Sequence, residues 1–134
     1  MVGADINDGS LTRGLDVFNR GLFFEAHEVL EDVWRASSTC HPRRLHLQGL
    51  VQLAVAFHHQ SKGNYLGARS VLERAIRNLT GAEASFPELD LDGLRVELSR
   101  WQQYLSGGGP RPALPCLALR DAVRAQYPDR ISEK

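Results

Sequence analysis

Apolar residues recur at helical spacing along almost the whole chain, and no run alternates cleanly enough to predict a strand. Leu11, Leu15 and Phe18 predict a short first helix with Ser10 as its N-cap, interrupted at Gly21. A second helix is expected from about Leu22 to Ala36, stopped by Ser37-Ser38-Thr39 and His41-Pro42. The third, from about Arg43 to Ser61, is apolar on nearly every side through Leu47, Leu50, Val51, Leu53, Ala54, Val55 and Phe57. A helix of that kind belongs at the centre of a bundle. Lys62-Gly63 ends it, and Asn64 is placed to cap the fourth. That helix carries Leu66, Ala68, Leu72, Ala75, Ile76 and Leu79 on one stripe and ends near Gly81. A fifth, capped by Asp90 or Asp92, carries Leu94, Leu98, Trp101 and Leu105. Gly107-Gly108-Gly109-Pro110 breaks the pattern, and a short last helix is expected from about Leu117 to Gln126. The expected fold class is all-α, a compact bundle of about five or six helices built from two similar helical hairpins.

The hairpins show in the sequence itself. Gly21, Phe23, Ala26, Val29, Leu30 and Glu31 are matched at an offset of 42 by Gly63, Tyr65, Ala68, Val71, Leu72 and Glu73. The glycine opens a turn, and the small alanine lets a neighbouring helix approach closely. The pattern is similar to the first helix of a tetratricopeptide repeat. The offset is longer than the roughly 34 residues of such repeats, and two units are too few for a solenoid. A compact bundle is expected instead of an extended scaffold.

With 134 residues, 43% of them hydrophobic, the chain can build one core, and a single helical domain is expected over 1–134. Its core is expected at about 11–106, with 107–134 as a C-terminal extension. Sixteen basic residues balance sixteen acidic ones. No global field draws such a protein onto nucleic acid or an anionic membrane, so neither is expected as a partner. A homo-oligomer or a protein partner remains open. The longest apolar-rich stretch, Leu45–Phe57, is interrupted by His46, Gln48 and Gln52 and is too short and polar to cross a bilayer. Cys40 and Cys116 make neither a Cys-x-x-Cys pair nor a disulfide framework, and Met1–Ser10 has no secretory character. The expected location is cytoplasmic.

The chemistry concentrates on the second helix. At about 100° per residue with His27 at zero, Trp34 falls near −20°, Phe23 near −40°, Leu30 near −60°, Glu31 near +40° and Phe24 near +60°. His27 and Glu31 are thus expected one turn apart inside an aromatic-lined apolar stripe. Glu28 falls at its margin, and Glu25 and Asp32 face solvent. A histidine and a carboxylate facing a core must be satisfied, since an unpaired buried polar group costs roughly 1–3 kcal/mol. One hydrogen bond between them does this. The same spacing also presents two metal ligands on one face, with further ligands from another helix. If the third helix runs antiparallel to the second, His58 or His59 approaches His27. His27, Glu31 and one of those histidines would suit zinc, iron or manganese with a position open for water. Position 31 is Glu, so the His-Glu-x-x-His zinc motif is absent, and the four-helix di-iron pattern is not met.

His27-x-x-x-Glu31-x-x-Trp34 resembles the signature of the domain-of-unknown-function family numbered 309, small all-helical bacterial and archaeal proteins. Phe18-Asn19-x-Gly21, Phe24-Glu25-Ala26-His27-Glu28-x-Leu30-Glu31, Leu47-Gln48-Gly49-Leu50-Val51-Gln52-x-Ala54-x-Ala56-x-His58 and Gly63-Asn64-x-x-Gly67-Ala68 are similar to further stretches of it. The resemblance covers roughly Phe18 to Leu79. It implies an all-α fold and metal binding at the motif, supplies no reaction, and favours His58 over His59.

Three readings of the pair stand side by side: a satisfied hydrogen-bond network, a bound divalent metal, and a metal-free acid/base pair. In the metal reading His27, Glu31 and His58 are ligands. Trp34 is read first as a core residue; in the metal reading its indole orients Glu31 and Gln48, Gln52 and His59 stand behind the ligands, while Gln48 and Gln52 equally suit contact with solvent or another subunit. If the site is catalytic, the chemistry is metal-assisted hydrolysis with Glu28 as general base. The alternative is a tetratricopeptide-like interaction module in which the pair is purely structural.

Overall fold

The computed structural model describes residues 2–37 and 42–118, with side chains described from residue 9 onward. All five of its elements are α-helices: α1 (Val2–Asn19), α2 (Phe23–Ala36), α3 (Arg43–Ser61), α4 (Tyr65–Asn78) and α5 (Leu91–Leu105). The fold is all-α, as the periodicity requires. The first helix differs from expectation. It begins well before Ser10, so Ser10 lies inside α1 and is not its cap. Nothing in Val2–Gly9 breaks a helix outright, because the stretch holds no proline.

Two expected caps are present. Asn64 accepts from the Gly67 amide through Oδ1 at 3.0 Å, and Asp90 accepts from the Gly93 amide at 3.1 Å. Each satisfies an amide that the helix leaves without a partner.

Helix α3 is the centre. It packs most extensively on α4 and next on α2, while α1 lies against α2. Leu47, Leu50, Leu53, Ala54, Ala56 and Phe57 are all buried, which accounts for its lack of a polar face. Phe57 anchors an aromatic chain through the core. It meets Phe23 at 5.7 Å and Phe18 at 6.3 Å between ring centroids, and meets Trp101 of α5 edge-on at 5.1 Å.

The internal repeat is a structural one. Gly21 and Gly63 take the left-handed conformation, with φ of 82° and 81°. The residues after them, Leu22 and Asn64, share one backbone conformation (φ −91°, ψ 73° and φ −88°, ψ 77°) as they enter α2 and α4. A side chain at either glycine would be strained there, so the turn selects glycine.

Residues 111–118 are not helical and run back along α5. The Trp101 indole donates to the Ala113 carbonyl at 2.9 Å. Asn19 takes both backbone groups of Leu117, accepting from its amide at 2.7 Å and donating to its carbonyl at 3.1 Å. The Asp90 amide donates to the Ala118 carbonyl at 2.9 Å. These contacts correct the start of the expected last helix, because Leu117 has spent its backbone groups on Asn19. The remainder of that helix, from residue 119, lies outside the described residues.

Candidate functional site

Helix α2 turns one face to the core through Phe23, Ala26, Leu30 and Val33. On the helical wheel that places the centre of the buried face roughly 80° from His27. His27 and Glu31 therefore sit at the edge of the stripe rather than inside it, because Ala26 and Val33 draw the buried face away from them. Their side chains are 27% and 31% exposed, and His27 Nε2 lies 3.3 Å from Glu31 Oε1. The other carboxylate oxygen is held by Arg35, one turn further on, at 3.2 Å.

Helix α3 runs antiparallel to α2, so the start of one meets the end of the other. Phe24, which is 51% exposed, lies beside His27 at 5.9 Å and beside His58 at 5.3 Å between ring centroids. Of the two neighbouring histidines it is thus His58 that turns toward α2. His59 turns instead to the α3–α4 corner, where its Nδ1 lies 3.3 Å from the side-chain nitrogen of the capping Asn64. His27 and His58 flank the same phenylalanine, and among the described residues no three His, Cys, Asp or Glu side chains come together as a metal-holding group.

The remaining expected residues separate. Trp34 is half-buried, and its indole nitrogen is buried without a hydrogen-bond partner among the described residues. It does not orient Glu31. The ring serves α3 instead: Arg44 stacks over it at 4.2 Å and donates to the Trp34 carbonyl at 2.8 Å. Gln52 faces α4, where its Oε1 accepts from Asn78 at 2.8 Å. Gln48 is half-buried on α3, and Glu28 is exposed on α2. His41 lies outside the described residues.

Three contacts escaped the sequence reading. Arg35 was legible in principle, as a cation four residues after Glu31. Arg44 on Trp34 depends on the antiparallel packing of α2 and α3. His46, buried on α3, has its Nδ1 2.6 Å from the Ser85 hydroxyl, and no local pattern links positions 39 residues apart. A groove of about 210 Å³ opens between α4 and α5, lined by Ile76, Leu79, Leu91, Leu94 and Leu98. Its rim residue Arg95 is already engaged by Glu83 and the Leu79 carbonyl. None of the described histidines lines it.

Comparison with known proteins places this geometry in context. A family model described as Domain of unknown function (DUF309) matches residues 11–71. The match takes in all of α2 and α3, and so His27, Glu31, Trp34 and His58. The chain is similar to the uncharacterized protein YpuF of Bacillus subtilis (strain 168), 34% identical over 74 residues, which are 55% of this chain and 42% of that protein. It is also similar to an uncharacterized protein of Aquifex aeolicus (strain VF5), 28% identical over 81 residues, which are 60% of this chain and 24% of that protein. The matches thus span less than half the length of either relative.

Proposed function

From a chain whose residues 11–71 are of the DUF309 family, we propose that this protein binds a divalent transition metal (zinc, manganese or iron) on the exposed edge of α2, with His27 and Glu31 as donors. The observation that carries the reading is the 3.3 Å between His27 Nε2 and Glu31 Oε1. Donors at about 2.0 and 2.1 Å from zinc, set at the tetrahedral angle, stand roughly 3.3 Å apart. An imidazole nitrogen and a carboxylate oxygen suit zinc, iron and manganese alike. Their partial exposure leaves the pair open to an ion from solvent. Arg35 on the second carboxylate oxygen holds Oε1 toward the histidine. His58, beside the same Phe24 ring, is the further protein donor proposed from the sequence.

A metal held by His27 and Glu31 would supply the chemistry of metal-assisted hydrolysis by lowering the pKa of water. Glu28, exposed and next in the chain to His27, is the carboxylate proposed to take up a proton.

Titration of the metal-free protein with zinc, manganese and iron(II) tests the reading. Saturable binding that collapses in Glu31→Gln and in His27→Ala is the expected result. Absence of binding, or equal binding by wild type and both variants, overturns it.

A second reading, the tetratricopeptide-like interaction module, draws support from the structural repeat and from exposed apolar residues after both glycine turns: Leu22 and Phe24, then Tyr65 and Leu66. In that reading the His27–Glu31 pair only braces α2, and no metal binds.

A further inference from the structure

We propose that α5 and the end of α1 form a binding site for an extended peptide of a partner protein, and that residues 111–118 are its tethered occupant in this structure. The segment it takes has a leucine two residues after a proline and an arginine four residues before that proline. Nothing in this depends on a metal at His27 and Glu31. The observation behind it is how residues 111–118 are held. From Pro110 to Leu117 no backbone group bonds to another backbone group among the described residues. Side chains grip this backbone instead. Asn19 brackets Leu117, accepting from its amide at 2.7 Å and donating to its carbonyl at 3.1 Å. Glu97 accepts from the Cys116 amide at 3.2 Å, and the Trp101 indole donates to the Ala113 carbonyl at 2.9 Å. Most hydrogen bonds of a folded chain join backbone to backbone. Main-chain bonds for affinity, with pockets for alternate side chains, are the way an extended peptide is recognised.

The side chains alternate as that mode requires. Pro115 and Leu117 are buried while Leu114 and Cys116 are exposed, which is the two-residue period of an extended chain. Arg111 is a third point of attachment, its guanidinium 5.7 Å from the Trp101 ring centroid and 3.4 Å from Gln60 Oε1. The segment is joined to α5 through Gly107-Gly108-Gly109, all exposed, with Gly107 and Gly109 in the left-handed conformation. No side chain anchors this turn. A short flexible tether holds what it carries at an effective concentration on the order of millimolar. The occupant therefore masks the site from a dilute partner, and release of the segment opens it.

The test places a protease recognition sequence between Gly108 and Gly109 of the full chain, an exposed turn of the kind that accepts insertions. Cutting there severs the tether and leaves the fold otherwise whole. The probe is a fluorescein-labelled synthetic peptide with the sequence of residues 110–118, read by fluorescence anisotropy. The expected result is saturable binding to the cut chain, at least about tenfold tighter than to the uncut one. It should be lost when the peptide carries alanine in place of Leu117, and weakened about tenfold by Asn19→Ala in the protein. A peptide with serine in place of Ala113 and Leu114 should bind as well as the first, since those side chains are exposed. The uncut Leu117→Ala chain, whose segment has lost its anchor, should also bind the probe more tightly than wild type. Far-UV circular dichroism follows the fold throughout. Unfolding on cutting overturns the proposal, because the segment would then be part of the core. Equal binding before and after cutting, absence of binding to the cut chain, or binding indifferent to Asn19→Ala overturns it as well. A mass that doubles for the uncut chain and reverts in Leu117→Ala makes a second copy's segment the occupant and overturns the assignment to a partner protein.

Discussion

Ala26 and Ala68 occupy the same place in two successive hairpins, 42 residues apart, and both are fully buried. Each lies one turn into its helix, on its buried face, and each is followed four residues later by a buried leucine, Leu30 or Leu72. The small side chain sets how closely the helices approach. Ala68→Leu adds three heavy atoms where no surface is free, so overpacking should cost about 1–3 kcal/mol or more. Leu66→Ala, two residues away on the exposed side, should stay within about 0.5 kcal/mol. Urea denaturation of the two variants makes the comparison, and equal losses would show that burial does not govern this helix.

The sequence carried the helices far better than it carried the site. Helix α3 was bounded correctly because it is flanked by a proline and by Lys62-Gly63, and its all-round apolar pattern has only one place in a bundle. The Asn64 and Asp90 caps were legible because capping is local. The site was expected to be semi-buried, which the 27% and 31% exposure of His27 and Glu31 matches, but their place at the edge of the buried face rather than within it was not legible. Alanines count weakly in an apolar pattern, yet Ala26 and Val33 define the buried face of α2 and roll His27 to its edge. The partners of Trp34 and Gln52 were not legible for a related reason. Their partners, Arg44 and Asn78, come from neighbouring helices, and no spacing along α2 or α3 announces them. Ser85 beside His46 is the same case, a contact made by a loop whose course depends on the whole bundle.

Glu31→Gln should cost little stability. Both partners of the pair are about one-third exposed, so solvent screens the interaction, and the loss should be under about 1 kcal/mol rather than the cost of a buried pair. The repeat offers an internal comparison. Arg69 and Glu73 stand in α4 where His27 and Glu31 stand in α2, with Nε and Oε2 3.9 Å apart. Glu73→Gln should cost a similarly small amount. Chemical denaturation at low and high salt separates the two contributions, since a screened ion pair weakens as salt rises. A loss above about 2 kcal/mol for Glu31→Gln would mean that the carboxylate does structural work its exposure does not predict.

Ser85→Ala should be more damaging than its half-buried place in a loop implies. His46 is buried and its Nδ1 has the Ser85 hydroxyl at 2.6 Å. Removing that hydroxyl leaves a buried imidazole nitrogen unpaired, at a cost of about 1–3 kcal/mol. Arg43 holds the same corner, donating to the Ser85 carbonyl and lying over the Phe86 ring at 5.3 Å, so the loop should stay in place. In the background of His46→Leu, where both partners are apolar, Ser85→Ala should cost far less. A double-mutant cycle by thermal or urea unfolding reads the difference. Equal effects in the two backgrounds would show that the short contact contributes nothing.

Cys116 should react slowly for an exposed cysteine. Partial burial pushes its thiol above the usual value, and the nearby Glu97 carboxylate pushes in the same direction. Glu97 also accepts from the Cys116 amide at 3.2 Å, which fixes the two groups together. Because the thiolate is the nucleophile, a raised pKa leaves less of it at any given pH. In a Cys40→Ser background, alkylation by iodoacetamide near pH 8 should be slower than for a free cysteine, and its pH midpoint should lie higher. Glu97→Gln should quicken the reaction only in part, since burial is the larger cause. The sign for stability follows from linkage. The folded state holds the thiol proton more tightly than the unfolded chain, so its contribution is present below the unfolded thiol's range and is lost as pH rises through the folded one. An alkylation midpoint at or below that of a free thiol would contradict both expectations.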